Sequence, residues 1–331
     1  MELDNEFVKR INGLIDRVKH SMHKDINYND IYLICSKLIA LSKKCNYFSR
    51  NFFDDIQTKT SKEKSLKIAL QFFKSIDREF YKKASNIING KDDKYSLIIH
   101  EIPKGIPNTI KKEEEYQSKV GHEKGMVSVW LKGDIRDVYT IVHEIAHTFD
   151  FNNKYDKART TCSDVLPECF EGMLDVFLTN KIPQNDLNKI ELERYLKTIM
   201  YAFEYNVKYN FYDMKEKNGP LSAQMIRKVL RRYNTKPNNT FGFLYIDNQD
   251  INVPLRYVYA GIGADQFKKQ FIKNSSKSVE RLKKYIELIK ENKSEEALKA
   301  LGINLDPQLY KQSAQNFINF YEQNDIDGME R

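Results

Sequence analysis

At 331 residues and 39.1 kDa, with 41% hydrophobic and 12% aromatic residues, the chain can bury one large core or two ordinary ones, which excludes disorder for its bulk. The 13 Gly and 8 Pro are too few for collagen-like, low-complexity or turn-dense all-β designs, and abundant Lys, Leu and Glu suit long helices. The net charge of +8 raises a nucleic-acid or anionic-membrane partner, but Lys and Arg are spread from end to end. The densest groups, Lys111-Lys112 and Arg227-Lys228 with Arg231-Arg232, read as solvated faces, so neither partner is expected.

Cys35, Cys45, Cys162 and Cys169 form no CxxC pair and no dense framework, which speaks against a zinc ribbon or a stapled secreted fold. The start, Met1 to Lys24, alternates apolar and charged residues, and the most apolar run, Ile31 to Leu41, is short and contains Lys37. A soluble, cytoplasmic protein without a signal peptide is expected, with non-classical export left open.

Helical spacing runs through Phe7, Ile11, Leu14, Ile15 and Val18, then Ile34, Leu38 and Leu41, then Leu66, Ile68, Ala69, Phe72, Phe73 and Ile76. The punctuators Gly90, Pro103, Gly105 and Pro107 surround a short strand candidate, Ser96 to His100, and place a soft boundary near residue 90. The expected division is an N-terminal helical region, 1–90, and a second domain, 91–331. Gly125 to Leu131 is the best strand, ending at Gly133-Asp134 before a helix from Asp137 to Phe149. After a polar loop, Asn152 to Ser163, another helix begins near Asp164-Val165-Leu166-Pro167, where Pro fits the first turn. Further helices are expected over roughly 186–215, 222–233, 256–273, 278–291, 294–301 and 307–323.

Within the first of these post-strand helices, Val142-His143-Glu144-Ile145-Ala146-His147 contains HExxH. Residues four apart sit one turn along on one helix face, so both imidazoles can reach one metal ion, with Glu144 beside them. In a chain with 6 His the motif arises by chance in roughly one sequence in a hundred. Two nitrogens cannot close a catalytic zinc site, which needs a third protein ligand and an open position. The next helix offers Glu168, Glu171 and Asp175 on a face opposite the stripe Leu166, Phe170, Met173, Leu174 and Phe177. Three carboxylates together call for a cation: one would bind the metal and the others would accept hydrogen bonds from the ligand histidines. Spacing alone leaves both Glu168 and Glu171 as the third ligand.

The stretch Asp137 to His147 resembles the active-site helix of the oligoendopeptidase F and thimet oligopeptidase family of zinc metallopeptidases, and Val165 to Asp175 resembles its second metal helix, where a ligand Glu is followed seven positions on by another acid. On that likeness Glu168 is the ligand and Asp175 the second acid. Phe203-Glu204 with Gly219 to Ala223, Tyr257 to Gly261, and the tail from Leu282 through Asp306 are similar to oligoendopeptidase F as well, so the resemblance covers about residues 65 to 325. It implies a mainly α, zincin-type fold, two-lobed or bowl-like, with a small β-sheet edge beside the active-site helix. It also implies one Zn2+ per chain held by His143, His147 and Glu168, and an endopeptidase acting on oligopeptides with Glu144 as general base.

Tyr259, with Tyr257 as alternate, would donate a phenolic hydrogen bond to the oxyanion, and the strand Gly125 to Leu131 would pair with an extended substrate. Family members are longer, and the length lacking here would fall on the N-terminal side. No His follows His147, whereas the family carries one before its aromatic helix; the corresponding loop reads Tyr245 to Asp250. These departures motivate a second reading, a catalytically weakened zinc-binding peptide-recognition or regulatory module, and a third, an effector-type protease for one protein. Oligomeric state, export and side-chain preference are not encoded in any pattern visible in the chain.

Overall fold

The computed structural model describes residues 5–22, 27–42, 56–101, 119–121, 125–150, 162–232 and 250–303. Among these are eleven helices and three strands, in the order α1 (Asn5–Ser21), α2 (Tyr28–Ser42), α3 (Lys62–Ile76), α4 (Arg78–Ile88), β1 (Ser96–Glu101), β2 (Lys119–Gly121), β3 (Met126–Leu131), α5 (Arg136–Asp150), α6 (Val165–Leu178), α7 (Gln184–Asn218), α8 (Ala223–Arg232), α9 (Asn252–Lys273), α10 (Ser275–Lys290) and α11 (Ser294–Leu301). The protein is thus mainly helical with one small sheet, as its composition and periodicity predict. The expected helix over 307–323, the loop Asn152 to Ser163 apart from its last two residues, and the loop Tyr245 to Asp250 apart from its last residue lie outside the described residues.

The chain groups into two compact units: Met1–Ser49, Tyr195–Tyr259 and Leu305–Arg331 in the first; Arg50–Arg194 and Ala260–Asn304 in the second. The boundary expected near residue 90 falls inside the second unit. The reason is packing: α3 and α4 are not a separate helical region but cover α5 and α6 through aromatic side chains. Phe72, Phe73 and Phe80 meet Phe149 of α5 and Phe170 of α6 with ring centroids 4.9 to 6.3 Å apart, and Phe72, Phe73 and Phe170 are fully buried. Such rings carry large buried areas plus edge-to-face terms, so this cluster anchors the two helices that bear the acidic and histidine residues.

The sheet has the order β1-β3-β2, with β1 parallel and β2 antiparallel to β3. Val127, Val129 and Leu131 of β3 are buried on one face, while Met126, Ser128 and Trp130 are half-buried on the other, where Trp130 stacks on His100 at 4.3 Å. β3 is therefore the central strand. β1 pairs with its whole length and β2 with Met126–Ser128, which corrects the expectation that Gly125 to Leu131 is an edge receiving a substrate strand. Gly125 starts the strand at φ +60°, and a Cβ there would lie 1.8 Å from the Lys94 carbonyl oxygen, so only glycine lets the two backbones meet.

From β3 the chain enters α5 through a loop held by Asp137, whose carboxylate accepts from the amides of Lys132 at 2.7 Å and Gly133 at 2.9 Å. Burial raises the Asp137 pKa against the lowering effect of those two bonds. The segment 56–60 is tied to the same loop by Ile135 N–H to Thr58 O and Thr60 N–H to Gly133 O, and to the start of α7 by Asp186, which accepts from Thr58 N and Oγ1.

The first unit is built on α1, α2, α8, the larger part of α7 and the first turns of α9. Its buried polar groups are paired across those helices: Tyr205 donates to Tyr28 O, Tyr28 to Asn252 Oδ1, and Lys208 pairs with Glu204 one turn away.

Candidate metal centre

α5 presents His143 and His147 on one face, their rings 4.9 Å apart and nearly perpendicular. Both are largely covered, with 14% and 21% of their side chains exposed, and Glu144 beside them is buried. The two Nε2 atoms converge on one carboxylate oxygen, Asp164 Oδ1, at 3.6 and 3.8 Å. Asp164 occupies the N-cap of α6, where an aspartate ordinarily accepts from the helix's own amides. It makes no side-chain capping bond here; its Oδ2 accepts instead from Ser163 Oγ at 3.0 Å and its Oδ1 faces the histidine pair. The buried Asp164 carboxylate is thus turned from the helix start toward the two imidazoles.

The donor atoms of His143, His147 and Asp164 lie within 4.8 Å of one another, as do those of His143, Glu168 and Glu171. Around a tetrahedral zinc with ligands about 2.1 Å away, ligand atoms stand about 3.4 Å apart. The separations of 3.6 and 3.8 Å fit one ion among the first three residues. Glu168 is buried on α6 and shares a group with His143, but the group that contains both histidines takes Asp164.

Glu171 Oε1 accepts from His143 Nδ1 at 2.6 Å. With Nδ1 engaged by Glu171, Nε2 is the nitrogen that faces Asp164. Burial by itself would lower the His143 pKa, yet the bonds to Asp164 and Glu171 and the charges of Glu171 and Glu144 hold it well above the ordinary histidine value. The carboxylates of Asp164 and Glu171 thus face both nitrogens of the ring.

Asp175, the third acid of α6, sits apart from the histidines. It accepts from Tyr139 Oη at 2.8 Å, is bonded to Arg194 of α7 and lies 3.0 Å from Lys268 of α9. The cations that face the acidic side of α6 therefore include Arg194 and Lys268, neither of which any local pattern marks. Gly172 lets α9 come close: a Cβ there would stand 3.2 Å from Lys268 Cβ and 3.3 Å from Ala264 O. Tyr257 and Tyr259 belong to the first unit. The Tyr257 ring stacks on Tyr201 at 4.1 Å, and its oxygen accepts from Arg256 Nη2 at 3.0 Å; Tyr259 is half-buried.

The architecture is similar to that of two solved structures. One is described as a "putative peptidase from Chlamydophila abortus" (TM-score 0.59, 16% identity, 96% of this chain and 61% of that one). The other is described as a "putative oligoendopeptidase F from Bacillus anthracis str. Ames" (TM-score 0.61, 12% identity, 96% of this chain and 62% of that one). The chain spans about three fifths of the length of each. At such identities the likeness is one of fold, and the resemblance to oligoendopeptidase F read from two helices extends to the architecture. No protein-family model and no curated protein matches the sequence. Among the described residues no helix is long and apolar enough to cross a membrane.

Proposed function

We propose that the protein is a zinc-dependent endopeptidase that hydrolyses internal bonds of oligopeptides, with His143, His147 and Asp164 as the metal ligands. The observation that carries this reading is the meeting of both Nε2 atoms with one oxygen of Asp164 on a helix that also bears Glu144. Glu168, the ligand implied by the family resemblance, stands one turn further along α6 and is the alternate third ligand, since it shares a donor group with His143. The peptidase-like fold supports a peptide as the substrate.

When bound, the ion supplies Lewis acidity, lowering the pKa of a water and polarising the scissile carbonyl. Glu144 accepts the proton of the attacking water and delivers it to the leaving amine, a role that calls for a carboxylate next to the ligands and sheltered from bulk water. Glu171 keeps His143 in the ligating tautomer. A phenolic hydrogen bond to the oxyanion is proposed for Tyr259, with Tyr257 as alternate; the Arg256 bond to the Tyr257 oxygen makes that phenol a stronger donor.

The test combines zinc quantification with cleavage of a quenched peptide library by wild type and Glu144→Gln. Stoichiometric zinc in both proteins, with turnover reduced by about 10²–10⁴-fold in the variant, is expected. A variant that retains wild-type turnover removes the general base from the mechanism. A zinc-loaded wild type that binds peptides but cleaves none supports the weakened-module reading instead.

A further inference from the structure

Glu171 does its work on His143 only if it keeps Oε1 on the ring, and α6 alone does not hold it there. Glu168, Glu171 and Asp175 lie on one helix, and side chains of the last two converge within a poorly hydrated region whose neighbours are largely buried. The Glu171 carboxyl can turn about its own side-chain bonds, and a rotated Glu171 would release His143 Nδ1.

Arg194, which reaches the site from α7, opposes that rotation. Its side chain is 16% exposed; Nη1 lies 3.6 Å from Glu171 Oε2, Nη2 is bonded to Asp175 Oδ2, and the guanidinium carbon is 5.7 Å from the Tyr139 ring centroid. Glu171 thereby has one oxygen on the histidine and the other toward the arginine. A planar fork can face two carboxylates at fixed separation, which a single ammonium cannot do. Tyr139 Oη and Lys268 hold Asp175 from two other directions, so the arginine is itself fixed in place.

We infer that Arg194 is a positioning residue of the metal centre, acting through Glu171 to hold His143 in its ligating tautomer. The inference rests on the metal reading proposed above and adds to it a residue that touches no ligand directly. Its test is zinc affinity, measured by competition with a chelating dye, and the melting temperature of the metal-free protein. Arg194→Met should weaken zinc binding by about 10-fold, because the ion pair that steadies the His143 partner Glu171 is lost. Arg194→Lys should recover only part of it.

The control is Arg136→Met, which removes another half-buried arginine paired with two acids, Asp134 and Glu193, neither of which touches a ligand histidine. It should lower the melting temperature and leave zinc affinity within about threefold of wild type. Arg194→Met that melts lower but binds zinc like wild type overturns the inference, because its role is then structural only. If Arg194→Met does not fold, Arg194→Lys decides: wild-type zinc affinity in that variant overturns the inference equally. A wild-type protein that takes up no zinc is a different result, which removes the metal reading itself.

Discussion

Asp164 illustrates how one residue can carry two incompatible roles until its surroundings are known. At a helix start an aspartate is the expected cap, and the sequence offers no reason to read it otherwise. Its carboxylate is instead turned to His143 and His147. Asp164→Ala is expected to lower zinc affinity by more than about 100-fold, whereas Glu168→Ala should change it far less. Zinc titration of the two variants checks this, and loss of metal in the Glu168 variant alone would restore Glu168 as the ligand. The histidine pair was legible because its spacing is local: two residues four apart share a helix face in any fold. The third ligand was not, because the direction of the Asp164 side chain is set by the approach of α5 to α6.

At the scale of elements, the placement of α5 depends on what grips its two ends. Asp137 holds the entry, and Phe149 enters the aromatic cluster near the exit. Phe170→Ala removes the ring shared by four neighbours in that cluster and is expected to cost about 3–5 kcal/mol, read as a drop in the denaturant midpoint. The last turn of α5 is also met by Lys83 of α4, which donates to Thr148 O with its ammonium 5.4 and 5.5 Å from the Tyr95 and Phe149 ring centroids. A cation at a helix C-terminus is favourable, but burial, aided by Lys290, lowers the Lys83 pKa to about 8 against Asp92 and Asp150.

The sign follows from the ordinary value of 10.5 in the unfolded chain. Between about pH 8 and 10.5 the unfolded state binds more protons at this residue, so its contribution makes stability rise with pH across that window and level off at its lowest below about pH 8. Melting curves of wild type and Lys83→Met over pH 7–10.5 should differ by that rising component, and identical pH slopes in the two would show that the lysine keeps its ordinary pKa.

For the whole molecule the relevant linkage is between metal and folding. The proposed ligands come from α5 and from the start of α6, so an ion that binds only the folded site would stabilise the packing of the two helices. At a free zinc concentration 100-fold above Kd the stabilisation is about 2.7 kcal/mol, seen as a rise of several degrees in melting temperature over the chelator-treated protein. No shift would mean that the site binds no zinc at that concentration. The helical content and the order of the helices were readable from periodicity and punctuation; the central position of β3 was not, because the short strand β2 on its other side carries no pattern of its own. The partition into two units was not, since α7 and α9 each continue across the division with no break in their helical pattern.

What the amino-acid sequence determined by itself is therefore everything with a short range: the helix periods, the glycine that admits β3, and the HExxH pair with its neighbouring Glu144. Tertiary structure alone decided which carboxylate meets both histidines, that Glu171 rather than Asp175 supports His143, and that Arg194 and Lys268 neutralise the acids of α6. The physical reason is that a helix fixes the direction of its side chains only relative to its own axis. Which of them converge on one point depends on how α5, α6, α7 and α9 pack, and that is set by buried aromatic side chains and a glycine far from the motif in sequence.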